Sequence, residues 1–106
     1  MYASIRRYTM GAGSIDDAMH IVDENLAEQL PQEPGFVAYQ VLDTGNDTIC
    51  SITVFSDEAG VERSNELAAE FVRDKLGDFD INRTEIFGGE VMVSRAASEV
   101  LQPAHH

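Results

Sequence analysis

Few residues in this chain have the chemistry for catalysis or ligand capture, and they are scattered: Arg6 and Arg7, His20, Cys50, and the pair Ser64-Asn65. The last pair is the most informative. Ser64 falls in the middle of a helix's buried stripe, where an apolar residue is expected. A small residue there permits close helix–sheet contact, and its hydroxyl can bond a carbonyl one turn back. In the alternative, Ser64 and Asn65 form a polar roof above Gln40, Ser51 and Thr53, which is how an apolar pocket orients a ligand. Arg6 and Arg7 are neighbours on a strand and so point to opposite faces. One of them must point towards the helices or into an interface, where a buried charge needs a partner. A carboxylate across an interface between two copies is the favoured partner, and an anionic ligand the alternative. Adjacency does not say which arginine faces which side.

The other candidates read as structure. His20 stands between Asp16 and Glu24 at i−4 and i+4 on the polar side of a helix, the setting of a solvated imidazole. Cys50 lies on an apolar strand face with no histidine near it, which fits an inert thiol, because a reactive one needs an electropositive, partly exposed setting. The acidic helix faces, with Asp16, Asp17 and Asp23 on one helix and Glu58, Glu62 and Glu66 on the other, are solvated surface. His105 and His106 look like the start of a purification tag and are set aside. His20 is then the lone histidine, which disfavours a metal centre built on imidazoles. No metal and no cofactor are expected, and no residue is assigned a catalytic role.

The elements that must position these residues can be read along the chain. Residues 2–10, YASIRRYTM, alternate and are rich in β-formers. Ser14 with Asp17 resembles a capping box, and from Ile15 to Leu30 apolar residues recur at helical spacing until Pro31. Residues 34–55, PGFVAYQVLDTGNDTICSITVF, read as a hairpin about a Gly45-Asn46 turn. That register sets Leu42 opposite Ile49, Gln40 opposite Ser51, Ala38 opposite Thr53 and Phe36 opposite Phe55. Ser56 or Asp57 caps a second helix, which runs to about Leu76 and buries Val61, Ser64, Ala68, Phe71 and Val72. The closing strand lies in NRTEIFGGEVMVSRA, with a bulge or kink at Gly88-Gly89.

The order is β-α-β-β-α-β, an α+β ferredoxin-like domain with a four-stranded antiparallel sheet over residues 1–96, a tail over 97–104 and the tag residues 105–106. Two helices cover only one sheet face. The other carries Val37, Tyr39 and Val41 against Cys50, Ile52 and Val54, each worth roughly 1.5–3 kcal/mol when buried. A second copy packed sheet to sheet is the simplest cover, so a homodimer is expected. With 106 residues the chain makes one domain, and 43% hydrophobic with 25% charged residues is ordinary for a globular protein. Seven basic against 19 acidic residues give a net charge of −12, a surface that repels nucleic acid and anionic lipid. The lone cysteine fits a reducing compartment, and no apolar run suits a membrane span or a signal peptide, so a cytoplasmic location is expected.

Element order, together with Pro34-Gly35-Phe36, Phe55-Ser56-Asp57 and Gly89-Glu90-Val91, resembles the dimeric α/β-barrel proteins related to antibiotic-biosynthesis monooxygenases, over about residues 2–95. The resemblance implies a dimer interface at Val37, Tyr39, Val41, Cys50, Ile52 and Val54. It implies a ligand pocket between helices and sheet, floored by Phe36, Gln40, Ser51, Thr53 and Phe55 and roofed by Ser64, Asn65 and Ala68. Cofactor-free oxygenases of this kind turn electron-rich phenols into quinones inside a dry cavity. The chain departs from them in having no tryptophan, with Phe55 where they often carry one. Haem-degrading relatives use an Asn, a Trp and a haem-ligating His; here Trp is absent and His20 is badly placed, which disfavours that activity. The expected function is binding of a small aromatic or phenolic ligand, with monooxygenase-like chemistry as one outcome. The alternatives are a non-catalytic binding or stress-related dimer, and a structural partner whose dimer surface is its purpose.

Overall fold

The computed structural model describes residues 1–97; nearly all of the expected tail, and the His105-His106 pair, lie outside the described residues. Strand β1 is Tyr2–Met10. Helix α1 is Ile15–Glu24 and a single turn, α2, is Leu26–Gln29. Strands β2, Phe36–Gly45, and β3, Thr48–Phe55, form the hairpin. Helix α3 is Glu58–Lys75 and strand β4 is Ile81–Glu90. All pairings are antiparallel in the order β2-β3-β1-β4, the βαββαβ ferredoxin-like arrangement. No helix among the described residues is long and apolar enough to cross a membrane.

Local chemistry explains the ends of these elements. Ser14 caps α1 by accepting from the Asp17 N–H at 3.1 Å, and Asp57 caps α3 by accepting from the Gly60 N–H at 2.8 Å. The first helix does not run unbroken to Leu30 as its periodicity suggests. Asn25 leaves helical geometry at φ −122° and ψ −80°, its side chain donating to the Ile21 carbonyl at 2.8 Å. That bond competes with helix propagation, so the chain restarts as α2 and then as a 3₁₀ turn at Leu30–Gln32. The closing strand is also shorter than its sequence suggests: pairing ends at Glu90, and Met92 and Val93 are exposed.

The hairpin departs from its expected register, with consequences for every side chain on β2. The central turn residues are Asn46 and Asp47, at φ 53° and 58°, a type I′ pair one place later than expected. Asp43 then faces Ile49 while Gly45 faces Thr48, leaving Thr44 over. At the far end Phe36 faces Phe55 while Ala38 faces Val54, leaving Val37 over. Between these two bulges β2 is displaced by one residue, which exchanges its faces. Tyr39 and Val41, expected on the outer face, instead pair with Thr53 and Ser51 and pack against the core beneath the helices. Gln40, expected on the pocket floor, pairs with Ile52 on the outer face. Strand β3 alternates as read, with Ile49, Ser51, Thr53 and Phe55 buried. Gly88 and Gly89 pair regularly with Ser4 and Ala3; the β4 irregularity lies at Thr84, between the partners of Arg7 and Tyr8.

The main core gathers Met10, Ala18, Val22, Leu26, Leu30, Ala68, Phe71 and Leu76 between sheet and helices. At the other end of α3, the Phe55 ring meets Phe36 edge to face, centroids 5.7 Å apart, and lies under Gly60. A Cβ at Gly60 would stand 2.5 Å from the Phe55 ring. The outer face keeps Ile5, Cys50, Ile52 and Val54 only half-buried, with Leu42 and Phe87 42% and 50% exposed. The Gly60 contact is testable. Gly60→Ala must push α3 off the sheet and should cost roughly 1–3 kcal/mol in urea denaturation; an unchanged midpoint would show that the helix has room to shift.

Candidate functional site

Beneath α3 the inner face of the sheet turns polar. Strand pairing sets Ser4 opposite Thr53 and Arg6 opposite Ser51, which puts polar residues from two adjacent strands side by side. Arg6 is fully buried at their centre. Its Nε–H donates to Ser51 Oγ at 3.1 Å, Nη2 to Thr53 Oγ1 at 2.8 Å, and Nη1 to Asn65 Oδ1 at 2.6 Å. The Ser4 hydroxyl donates to the same Asn65 oxygen at 2.9 Å. Arg7 points the other way and meets Glu85 of β4 at 3.4 Å on the exposed face. The carboxylate partner expected for a buried arginine is thus found by the exposed arginine, within the same chain.

A guanidinium can only donate, so Arg6 determines which way the Asn65 amide points: oxygen inward, nitrogen outward. The Nδ2 group has no partner among the described residues. Asn65 and Ser4 form one wall of an open cleft of about 240 Å³ between α3, β1 and β4, with Tyr2, Val61, Ile86 and Phe87 around it and Glu58 and Glu62 on its α3 side. On the other side of the polar cluster, Arg6, Ser51, Tyr8 and Tyr39 border a small cavity of about 30 Å³ closed by side chains of α1 and α3. Tyr39 is pushed up to about 12: burial disfavours its phenolate, the Arg6 charge opposes that, and Tyr8 adds a smaller push upward. Tyr39 is therefore a neutral phenol at physiological pH, a donor and not a base. Among the described residues no cluster of His, Cys, Asp and Glu is arranged to hold a metal ion.

Of the residues singled out from sequence, Ser51, Thr53 and Asn65 meet around Arg6. Phe36 and Phe55 lie on the helix side but pack against each other. Ser64 is buried and donates to the Val61 carbonyl at 2.6 Å, so its hydroxyl is satisfied within its own helix. Ala68 belongs to the core. Gln40 is absent from the group because of the β2 displacement. His20 is exposed, 2.9 Å from Glu24, and Cys50 sits half-buried on the outer face. Sequence reasoning left out Ser4 and Tyr8, assigned Tyr39 to the dimer face, and did not choose between the arginines. The signal was present: on β1 Ser4 and Arg6 share a face, and across the β3 pairing Arg6 meets the hydroxyls of Ser51 and Thr53 whereas Arg7 meets Cys50.

The fold is that of solved structures described as a dimeric ferredoxin-like protein and a putative antibiotic biosynthesis monooxygenase. Among solved structures, the protein of unknown function NE2512 from Nitrosomonas europaea matches 92% of this chain and 94% of its own at 20% identity, with a TM-score of 0.70. SnoaB, a cofactor-independent oxygenase from Streptomyces nogalater, matches 88% of this chain and 94% of its own at 16% identity and a TM-score of 0.66. A dimeric ferredoxin-like protein from an uncultured marine organism matches 91% and 98% at 15% identity, with a TM-score of 0.69. At these identities the likeness is one of fold. No protein-family profile matches the sequence, and no curated protein matches it significantly.

The buried phenol gives a pH dependence with a definite sign. An acid whose folded-state value is raised, here from 10.0 to about 12, leaves stability unaffected below pH 10 and weakens it as the unfolded chain ionises first. Stability should fall by on the order of 2 kcal/mol more in the wild type than in Tyr39→Phe as pH rises from 10 towards 12. Parallel denaturation curves for the two proteins across that range would show that the Tyr39 hydroxyl is solvated.

Proposed function

We propose that the protein is a homodimer that binds a small oxygen-bearing aromatic compound in the cleft beside Asn65, and that cofactor-independent oxygenation is the reaction this site can support. The observation that carries the reading is the Asn65 amide. Arg6 and Ser4 hold its oxygen, so its two N–H donors are presented beside a largely apolar cleft with no competing partner among the described residues, a preorganised place for a carbonyl or phenolate oxygen. A cleft of about 240 Å³ suits one or two rings. An electron-rich phenol held there in ionised form can itself reduce oxygen: one oxygen atom of O₂ joins the ring and the other leaves as water, giving a quinone. The protein would contribute exclusion of bulk water and stabilisation of the ionised oxygen. SnoaB's description as a cofactor-independent oxygenase fits this chemistry on this fold.

One observation favours non-catalytic binding as a second reading. Ser4, Arg6, Ser51, Thr53 and Asn65 include no carboxylate or imidazole to take a proton, Tyr39 is held as a phenol, and the two acidic residues that line the cleft, Glu58 and Glu62, disfavour an ionised phenol beside them by like-charge repulsion. Oxygen uptake with an electron-rich phenol such as 1-naphthol in the presence of the protein separates the two: uptake above the uncatalysed rate with a quinone product supports oxygenation, and binding without uptake supports the second.

The dimer follows from the outer face, where Ile5, Ile52, Val54 and Phe87 stay accessible in the single chain, and from the dimeric state named for one structural neighbour. Burying that face against its copy also stiffens the sheet that carries Ser4 and Arg6. Native mass spectrometry tests both parts. Ile52→Glu should yield monomers, whereas Asn65→Leu should stay dimeric and lose bound or added ligand by at least about tenfold in affinity. Retained ligand in Asn65→Leu would refute the cleft, and a monomeric wild type would refute the dimer.

A further inference from the structure

The cleft beside Asn65 has two ends of opposite character. At one end the Asn65 amide presents its N–H donors, its oxygen tied to the Arg6 guanidinium behind it at 2.6 Å. At the other stand Glu58 and Glu62, two carboxylates that read as solvated surface in the sequence but line this cleft. Arg7, Arg63 and Arg73 each reach a carboxylate elsewhere, and neither Glu58 nor Glu62 has an ion-pair or hydrogen-bond partner among the described residues. No Lys, Arg or His among those residues lines the cleft. Glu58 has a local reason for its place, because it stands in the first turn of α3, where an anion suits the helix dipole. Glu62, one turn further on, has no such reason.

Position along α3 gives the spacing between the two ends. Glu58, Val61, Glu62 and Asn65 recur at intervals of three and four, so one face of the helix turns to the cleft. The helical rise separates Glu62 from Asn65 by about 4.5 Å and Glu58 from Asn65 by about 10.5 Å along the axis. An oxygen held at Asn65 and a cation held by the carboxylates therefore lie roughly 5–10 Å apart, the span of one aromatic ring with a short arm. Tyr2, Ile86 and Phe87 wall the space between the ends, and Phe87 is half exposed and open to a ring. The net charge of −12 draws cations towards the protein. An ammonium beside Glu58 and Glu62 also removes the like-charge repulsion that an ionised phenol meets there.

We infer that the cleft selects an aromatic compound that carries a protonated amine as well as an oxygen, with Glu62 and Glu58 as the residues that set this specificity. The oxygen accepts from Asn65 Nδ2, the ring lies along Val61, Ile86 and Phe87, and the ammonium pairs with the two carboxylates. The inference rests on the cleft reading proposed above and names the class of ligand that the cleft takes. A neutral phenol of the same shape loses the ion pairs, and an aromatic acid meets repulsion in their place.

The test uses the full chain and three probes of one shape, tyramine, 4-ethylphenol and 3-(4-hydroxyphenyl)propionate, titrated against the NMR signal of the Asn65 side-chain amide. Tyramine should bind about fivefold or more tighter than 4-ethylphenol, and the propionate should bind most weakly. Glu58→Gln combined with Glu62→Gln should abolish the advantage of tyramine and leave 4-ethylphenol unchanged. Glu28→Gln, which removes the same charge from a groove elsewhere on the surface, should leave the order intact. Equal affinity for 4-ethylphenol and tyramine, a tyramine advantage that survives the double substitution, or an equal loss in Glu28→Gln would overturn the inference while the cleft stands. An Asn65 amide that responds to none of the three probes would overturn the cleft reading and the inference together.

Discussion

A single guanidinium, buried on β1 between the hydroxyls of β3 and the Asn65 amide of α3, sets the terms for the rest of this molecule. Arg6 can be buried only where donors find acceptors, and the register of β1 against β3 brings the hydroxyls of Ser51 and Thr53 within its reach. A slip by one residue would set Arg6 against Cys50 or Ile52 and strand its charge in an apolar layer. The third acceptor comes from α3, so the same interaction also fixes how that helix is rotated over the sheet: Asn65 must face inward on its edge. Two apolar clusters then fill the space on either side, Phe36 with Phe55 at one end and the Leu26–Phe71–Leu76 group at the other. The hydrophobic effect supplies most of the stabilisation, but the polar cluster selects which packed arrangement receives it.

The small residues along α3 acquire a reason in this frame. Gly60 and Ser64 are both buried, and both let the helix axis come close enough for Asn65 to reach Arg6 and Ser4. A larger residue at position 64 would lift the helix and lengthen a bond that now measures 2.6 Å. Ser64, with its hydroxyl turned back onto its own helix, is therefore a spacer and not a ligand contact. Asn65 becomes the functional candidate because its neighbours hold one half of its amide and leave the other half unused.

Much of this could be read from the chain, and what could not failed for identifiable physical reasons. Strand β3 alternates strictly, so its inner face of Ile49, Ser51, Thr53 and Phe55 was plain. The inward stripe of α3 was plain for the same reason of periodicity. Strand β2 was misread in its middle because register was propagated from the turn, and two bulges, at Val37 and Thr44, lie between the turn and the far end. Bulges leave little trace in a sequence; here Val37 and Thr44 are ordinary β-formers. The pairing of Phe36 with Phe55 came out correctly because the turn lies one residue later than read, which moves the register by two, and the two bulges on β2 each take one back. The arginine ambiguity had another origin. Adjacent identical residues carry no facing information of their own, and only the oxygens across the strand pair distinguish them.

The acidic surface and the buried cation oppose each other, and the opposition bears on what can enter. A net charge of −12 repels anions at the protein's edge, but at physiological salt that field decays over about 8 Å. The Arg6 charge is felt only inside, where water is scarce and screening weak. A compact, fully hydrated anion therefore meets repulsion outside and a desolvation cost on entry, with little apolar contact to offset either. A molecule that is mostly apolar, with one ionised or strongly polar oxygen, gains contact area along the cleft before its polar atom is desolvated.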